Sequence, residues 1–247
     1  MFTPDERERL RVTLVSAARA DKRITGAALT GSAARDAQDA WSDIDLAFGV
    51  GDSTLLRAAL DDWTKRMVEE HGAVATVDVT RGNAVYRVFF LRNTLQVDLA
   101  FFPASEFGAL APTFRLLFGE SVQLAHVASP SPEHLIGMAW LHAIHARSCI
   151  KRGKHWQAEY MISGVRDHVL ALAASRLGLP PAEGRGMDQL PQKITRPLEA
   201  ALVRTLDARE LSRAFAVVVA GLLSEVHHAD HSLAARLEGP LIELTAP

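Results

Sequence analysis

The sequence predicts an α+β protein, in which a sheet-containing N-terminal part precedes an all-helical C-terminal part. Short runs of alternating apolar and polar residues occur almost only before residue 128, whereas later apolar residues recur every three or four positions over long stretches. Two prolines in "SPSP", residues 129–132, separate the two parts. We therefore expect two domains, residues 1–128 and residues 129–247.

The N-terminal part begins with a helix, which Thr3 or Asp5 can cap and which ends near Asp21. The run "ITGAALTG" that follows is typical of a strand entering a turn, and the next residues, "SAARDAQDA", suggest a short helix. A second long helix is predicted in "STLLRAALDDWTKRMVEEHG", with Gly72 as its stop. Its predicted apolar stripe consists of Leu55, Leu56, Leu60, Trp63 and Val68.

Four further runs have the β-branched and aromatic composition of strands. They are "DIDLAFGV", "AVATVDVT", "AVYRVFFL" and "TLQVDLAFF", at residues 43–50, 73–80, 84–91 and 94–102. The pairs Gly82-Asn83 and Arg92-Asn93 are turn candidates between the last three. Together with the strand in "ITGAALTG", these runs predict a mixed sheet of about five strands.

Four helices are predicted after "SPSP", at residues 133–152, 155–177, 194–206 and 210–237. We expect Ile144 and Trp156 on the inward faces of the first two. The fourth helix is long, and its wide apolar stripe is a candidate surface for a homodimer. An internal helical bundle would bury the same residues, so both interpretations stay open.

Charge and cysteine content narrow the class of protein. The formal net charge of -2 argues against a protein that coats DNA or RNA without sequence preference, because that task needs many cations along one face. The single cysteine, Cys149, excludes an intramolecular disulfide and is expected to pack among apolar helix residues. A signal peptide and an apolar run of membrane-spanning length are both missing, so we expect a cytoplasmic protein.

Two aspartates, Asp43 and Asp45, interrupt an apolar strand shortly after a Gly-Ser pair, Gly31 and Ser32. Because side chains alternate along a strand, both carboxylates point to one side of it. A divalent cation would relieve their repulsion, and Mg²⁺ prefers such oxygen ligands together with phosphate. A glycine turn before a helix start also suits phosphate oxygens. Asp98, on a later strand, is the third carboxylate, and three carboxylates could hold two metal ions.

A pair of aspartates alone is weak evidence for a metal site, since acidic pairs are common on the solvent face of edge strands. The combination is more specific: an apolar residue, Gly-Ser, ten residues, Asp-Ile-Asp, and an aspartate on a later strand. In this combination, which spans residues 28–102, the chain resembles the nucleotidyltransferase superfamily typified by DNA polymerase beta. The added helical domain most resembles the aminoglycoside and lincosamide nucleotidyltransferases, which modify antibiotics.

The resemblance implies a nucleotidyltransferase fold for the N-terminal domain and an acceptor-binding role for the helical domain. It implies that Gly31 and Ser32 contact the nucleotide phosphates and that Asp43 and Asp45 hold Mg²⁺. Asp98 would bind a second Mg²⁺ or take the proton of the acceptor hydroxyl. The implied reaction transfers a nucleoside monophosphate, with AMP from ATP as the first expectation, to a hydroxyl of a small molecule and releases pyrophosphate.

Further candidates lie outside this motif. Lys151 and Lys154 are candidates for the triphosphate tail, although surface solvation is the simpler interpretation. The resemblance makes Glu159 a candidate general base, and pairing with Arg166 on the same helix is its alternative. Two residues between the Gly-Ser pair and the aspartates, Arg35 and Ser42, are also candidates for nucleotide contact, although a surface position without a ligand is the simpler interpretation for Arg35. Trp41 can stack on a base or anchor its loop by burial.

Two alternatives to a small-molecule acceptor stay open. In the first, the same chemistry modifies a protein or an RNA end. In the second, the fold binds nucleotides without catalysis, although a module that only binds has no need for Asp43, Asp45 and Asp98 together with Gly31 and Ser32.

Overall fold

The computed structural model describes residues 1–246 and divides into two units. The N-terminal unit, Met1–Val127, contains strands and helices, and the described part of the C-terminal unit, Ala128–Pro247, is helical. The predicted α+β class is confirmed. The helices and strands, in chain order, are α1 (Pro4–Ala20), β1 (Ile24–Thr30), β2 (Ile44–Val50), α2 (Leu56–His71), β3 (Ala73–Arg81), β4 (Ala84–Leu91), β5 (Gln96–Pro103), β6 (Phe114–Gly119), α3 (Pro132–Lys151), α4 (His155–Arg176), α5 (Gln192–Glu199), α6 (Ala208–Ala229) and α7 (His231–Leu244).

The N-terminal unit contains a mixed sheet of six strands in the order β3-β4-β5-β2-β1-β6. Strands β2 and β5 are parallel, and every other neighbouring pair is antiparallel. The expected five strands are all present, and β6 is the strand that the sequence did not predict. Its residues, "FRLLFG", do not alternate between apolar and polar, because this edge strand buries neither face completely.

One face of the sheet forms the main core with helices α1 and α2. Ile44, Leu46, Phe48 and Val50 of β2 all point into this core, as their alternation predicts. The ring of Phe48 lies 4.9 Å from the ring of Trp63 on α2, measured between ring centroids. This packing fixes the direction of every side chain on β2, so Asp45 must point to the opposite face.

The buried stripe of α2 differs from the prediction at two positions. Leu55 and Val68 are 40% and 50% exposed, and Met67 is buried in place of Val68. Leu55 lies in a 3-10 turn before the helix begins. Met67 follows Trp63 by four residues and therefore shares its face, whereas Val68 is rotated away from it.

The opposite face of the sheet is lined by small residues around Phe102 and Phe107. Phe107 packs against two strand glycines, and a Cβ atom added to Gly26 or Gly49 would lie 2.7 Å or 2.9 Å from its ring. This face also carries the side chains of Asp45 and Asp98, which are both half-buried.

The C-terminal unit is a helical bundle whose core lies between α3, α4, α6 and α7. Ile144 and Trp156, which were expected to face inward, are 42% and 79% exposed. Alanines take the inward positions instead: Ala143 and Ala146 are fully buried on α3, and Ala158 is fully buried on α4. Small side chains allow the two helices to approach closely, so the larger apolar residues lie at the edge of the contact.

The two last predicted helices are interrupted. The helix expected at 194–206 ends at Glu199, because the carbonyl groups that follow accept hydrogen bonds from the Arg213 side chain. The long helix expected at 210–237 breaks at Asp230, which closes α6 and caps α7 by accepting hydrogen bonds from two backbone N–H groups. The predicted stripe of α6 is buried in the core of the unit, so it offers no surface for a dimer.

None of the helices within residues 1–246 combines the length and the apolar character that crossing a membrane requires.

Candidate metal and nucleotide site

Three aspartates from two neighbouring parallel strands converge on one face of the sheet. Asp45 of β2 pairs in register with Asp98 of β5, and Asp43 lies just before β2. One carboxylate oxygen from each of the three can be chosen so that all lie within 4.8 Å of one another. The sheet pairing creates this cluster, because it aligns residues that are more than fifty positions apart in the sequence.

The cluster is electrostatically unfavourable without a cation. The pKa of Asp98 is raised to about 6, mainly by burial and to a lesser extent by the nearby charge of Asp43, although a hydrogen bond from the Gln96 side chain lowers it. The Gln96 amide lies 3.0 Å from Asp98 Oδ1 and 3.4 Å from Asp43 Oδ2. One amide donates to both carboxylates, yet it does not neutralise them. A proton or a metal ion must supply the missing positive charge.

The residues fit a hard divalent cation. All three groups offer carboxylate oxygen, the ligand type that Mg²⁺ prefers, and their half-buried position leaves room for water or phosphate ligands. Histidine and cysteine are absent from this cluster, so it lacks the nitrogen and sulfur ligands typical of structural zinc sites.

Gly31 has a second role that its sequence position did not reveal. Its backbone adopts a left-handed conformation with φ of +58°, which favours glycine. A Cβ atom at this position would lie 2.0 Å from Oδ2 and 2.8 Å from Cγ of Asp45. Any side chain here would therefore displace the Asp45 carboxylate, so the glycine turn and the metal ligand depend on each other.

The helix expected over residues 32–40 is wrong. After Ser32 the chain makes only one 3-10 turn, Ala33–Arg35, which ends at Asp36 with φ of +53°. The carboxylate of Asp36 accepts hydrogen bonds from Arg115 of β6 at 2.8 Å, and this long-range ion pair holds the turn in place of further helix. Arg35 is exposed. Any phosphate contact here would use the Gly31-Ser32 turn rather than the start of a full helix.

A buried arginine on α1 holds the loop that leads to Asp43. Arg7 is 6% exposed, and its Nη1 donates to the carbonyl oxygens of Asp39 at 2.5 Å and Ser42 at 3.0 Å. The Asp39 carboxylate accepts from the Trp41 N–H and from the Ser42 hydroxyl, both at 2.9 Å. Sequence analysis missed Arg7, since the acidic and basic residues around it in "PDERERLR" give no signal for burial.

This loop changes the interpretation of two candidates. The Ser42 hydroxyl also accepts a hydrogen bond from the Asp39 N–H at 2.9 Å, so it takes part in holding the loop together. Trp41 is 76% exposed, which rules out anchoring by burial. Stacking of Trp41 on a bound ring stays a prediction.

The remaining candidates belong to the C-terminal unit. Lys151 is the last residue of α3, and Lys154 directly precedes α4. Glu159 Oε1 accepts a hydrogen bond from the Ser163 hydroxyl at 2.7 Å. Arg166 pairs with Asp167 at 3.0 Å, so the expected alternative for Glu159, an ion pair with Arg166, is wrong. The contribution of these three residues to the site stays a prediction.

Comparisons with known proteins give matches only among solved structures. No family model and no curated protein matches the chain. The chain is similar to an aminoglycoside 6-adenyltransferase from Bacillus subtilis, with 13% identity, a TM-score of 0.43 and coverage of 98% of both chains. It is also similar to a nucleotidyltransferase-like protein from Exiguobacterium sibiricum 255-15, with 16% identity, a TM-score of 0.37 and coverage of 89% of this chain and 76% of that chain.

Proposed function

We propose that the protein is a nucleotidyltransferase that moves a nucleoside monophosphate, AMP from ATP in the first place, to a hydroxyl group of a small molecule. One observation carries this proposal: the carboxylates of Asp43, Asp45 and Asp98 converge beside a glycine turn at Gly31 that has no room for a side chain. A cluster of this kind suits a triphosphate bound through metal ions, because the cations offset the charges of both partners.

The three aspartates would hold one or two Mg²⁺ ions. When bound, Mg²⁺ neutralises the triphosphate and stabilises the leaving pyrophosphate. Gly31 lies against the Asp45 carboxylate. Its backbone and the hydroxyl of the following residue, Ser32, would contact phosphate oxygens. The sheet keeps these groups in fixed positions, so the protein would contribute positioning and charge stabilisation rather than covalent chemistry.

In the proposed reaction the acceptor hydroxyl oxygen bonds to the α-phosphorus of the nucleotide. The bond from that phosphorus to the bridging oxygen breaks, and pyrophosphate leaves with its electron pair. The hydroxyl proton passes to a carboxylate, for which Asp98 is the first candidate and Glu159 the second. Lys151, Lys154 and Arg35 are proposed to contact the nucleotide.

The C-terminal unit is proposed to bind the acceptor. Aminoglycosides and lincosamides are the first acceptors to test, because the sequence motif with an added helical domain resembles the enzymes that modify them. Antibiotic modification would then be the cellular role of the reaction.

An activity assay that measures both pyrophosphate release and the mass of the acceptor tests the proposal directly. The protein is incubated with Mg²⁺, each of the four nucleoside triphosphates and a panel of aminoglycosides and lincosamides, and acceptor mass is followed by mass spectrometry. We expect turnover that Asp43→Asn and Asp98→Asn abolish. Asp61→Asn, on the exposed face of α2, is the matched control and should keep full activity.

The outcomes separate the alternatives. Nucleotide binding that requires Mg²⁺, without turnover on any acceptor, would favour a module that only binds nucleotides. Turnover detected on co-expressed protein or RNA would favour the macromolecular acceptor. Loss of both Mg²⁺-dependent nucleotide binding and turnover would remove the proposed function altogether.

A further inference from the structure

Strand β3 forms one edge of the sheet and is exposed over nearly its whole length. Residues 74–81 are all exposed, and no other described segment of the N-terminal unit pairs with this edge. Three valines are prominent among them: Val74, Val77 and Val79 are 52%, 59% and 57% exposed. An uncovered edge strand presents a row of N–H and C=O groups that can pair with another strand.

Beyond a bulge between Ala73 and Ala75 at its start, this edge lacks the features by which proteins usually prevent pairing. Its nine residues, "AVATVDVTR", include neither proline nor lysine, and valine and threonine favour extended backbone. One of its two charges, Asp78, is already paired with Arg87 on β4 at 2.6 Å. Both edge strands have one register shift against their neighbouring strand, but the opposite edge, β6, is shorter, with six residues against nine in β3.

We propose that β3 pairs antiparallel with β3 of a second copy of this chain, so that two six-stranded sheets join into one across a two-fold axis. Antiparallel pairing of a strand with its own copy is self-complementary, which is the requirement for a closed dimer. This inference does not depend on the proposed catalytic function.

The side chains determine the register. Val77 and Val79 share one face of β3, and this face is the one that carries Asp98, because Val77 pairs with Val88 and Val88 pairs with Asp98. Joining like faces requires Val77 to lie opposite a residue of the same face in the second copy. A two-fold axis at Val77 meets this requirement and pairs residues 75–79 of the two copies, a stretch that excludes the bulge between Ala73 and Ala75. Val79 then lies opposite the partner's Ala75.

The positions of the charged residues on β3 are compatible with this register. Asp78 would lie opposite the partner's Thr76, and Arg81 would lie beyond the paired stretch of residues 75–79. Like charges therefore never lie directly opposite each other, and the apolar row at the axis contains no charge. A shift by one residue would place Val77 opposite the partner's Asp78 and turn the apolar face of one copy against the polar face of the other.

Sedimentation velocity over a range of protein concentrations tests the dimer. We expect the unchanged protein and Val68→Lys, a matched change at a half-exposed valine on α2, to form the same dimer. Val77→Lys places two lysines opposite each other at the axis, so its dissociation constant should rise at least ~10-fold. A protein that stays monomeric at ~100 µM, or a Val77→Lys variant that dimerises as tightly as the unchanged protein, would overturn the proposal.

A cysteine variant tests the register without relying on a disruptive change. Cys149, the only cysteine, is buried, so an introduced thiol is the reactive one. Cross-strand neighbours in an antiparallel pair lie within disulfide distance. Val77→Cys should therefore form a disulfide-linked dimer under mild oxidation, and Val68→Cys should not. Equal crosslinking of the two variants would contradict the register, and far-ultraviolet circular dichroism shows that each is folded.

Discussion

Replacement of Gly31 by alanine separates a metal-site role from simple backbone strain. The added Cβ atom would lie 2.0 Å from Asp45 Oδ2, so the carboxylate must rotate away from Asp43 and Asp98. The φ of +58° adds strain of about 1–2 kcal/mol, because alanine does not tolerate the left-handed region as glycine does. We expect the metal affinity to fall by ~100-fold or more, as one of three ligands is displaced.

Gly72 provides the matched control. It also has a left-handed backbone, with φ of +72°, yet a Cβ atom there would meet nothing within 4 Å. Gly72→Ala should therefore lose the same ~1–2 kcal/mol of stability while it keeps its metal affinity. Each variant should melt about 3 °C lower per kcal/mol lost.

Isothermal titration calorimetry with Mg²⁺ and Mn²⁺ compares the two variants, and thermal melting measures the shared strain. The geometric reasoning would be refuted by a Gly31→Ala protein that binds metal as tightly as Gly72→Ala. It would also be refuted if both variants lost metal affinity equally, since strain alone would then explain the loss.

Three further changes test the structure. Asp98→Asn should stabilise the metal-free protein by ~1 kcal/mol at pH 7.5, a value discounted because Asp98 is partly exposed to solvent. The folded-state pKa of about 6 lies above the usual 3.8, so this gain should vanish below pH 4 in melts with chelator. Arg7→Met leaves two loop carbonyls without their donor and should cost ~1–3 kcal/mol in chemical denaturation, whereas the exposed Arg9→Met should cost almost nothing. Glu225→Gln breaks a buried ion pair with Arg176 and should lower stability by ~2 kcal/mol, and unchanged melting would contradict a structural role for the pair.

The sequence predicted the acidic cluster because its strands obey a simple rule. Strands β2 and β5 each bury one apolar row against the helices, so alternation alone placed Asp45 and Asp98 on the other face. Their convergence also required the two strands to be neighbours, which the metal-site hypothesis assumed and the sheet order confirms. Local pattern and topology together were sufficient for these residues.

Structural features that depend on hydrogen bonds between residues far apart in the sequence could not be predicted from local patterns. Arg7 donates hydrogen bonds to carbonyl oxygens that lie 32 and 35 residues away. Every residue has a backbone carbonyl group, so the sequence does not indicate which of them accepts such a bond. The 3-10 turn after Ser32 likewise depends on Arg115, which comes from a strand whose residues do not alternate. The break at Asp230 is a different case, because aspartate is a preferred N-cap residue and therefore a recognisable helix start, which the apolar periodicity around it obscured.

The proposed dimer and the proposed metal site can be tested together, because the sheet fixes the distance between the β3 edge and the three aspartates. Val77, Val88, Asp98 and Asp45 form a continuous row across four strands. With strands about 4.8 Å apart, a two-fold axis at Val77 would place the two metal sites roughly 25–35 Å from each other. Pulsed electron paramagnetic resonance on the Mn²⁺-loaded protein measures this separation. Bound Mn²⁺ without such a distance would remove the β3 dimer and keep the site, whereas a dimer that binds no Mn²⁺ would remove the site and keep the interface.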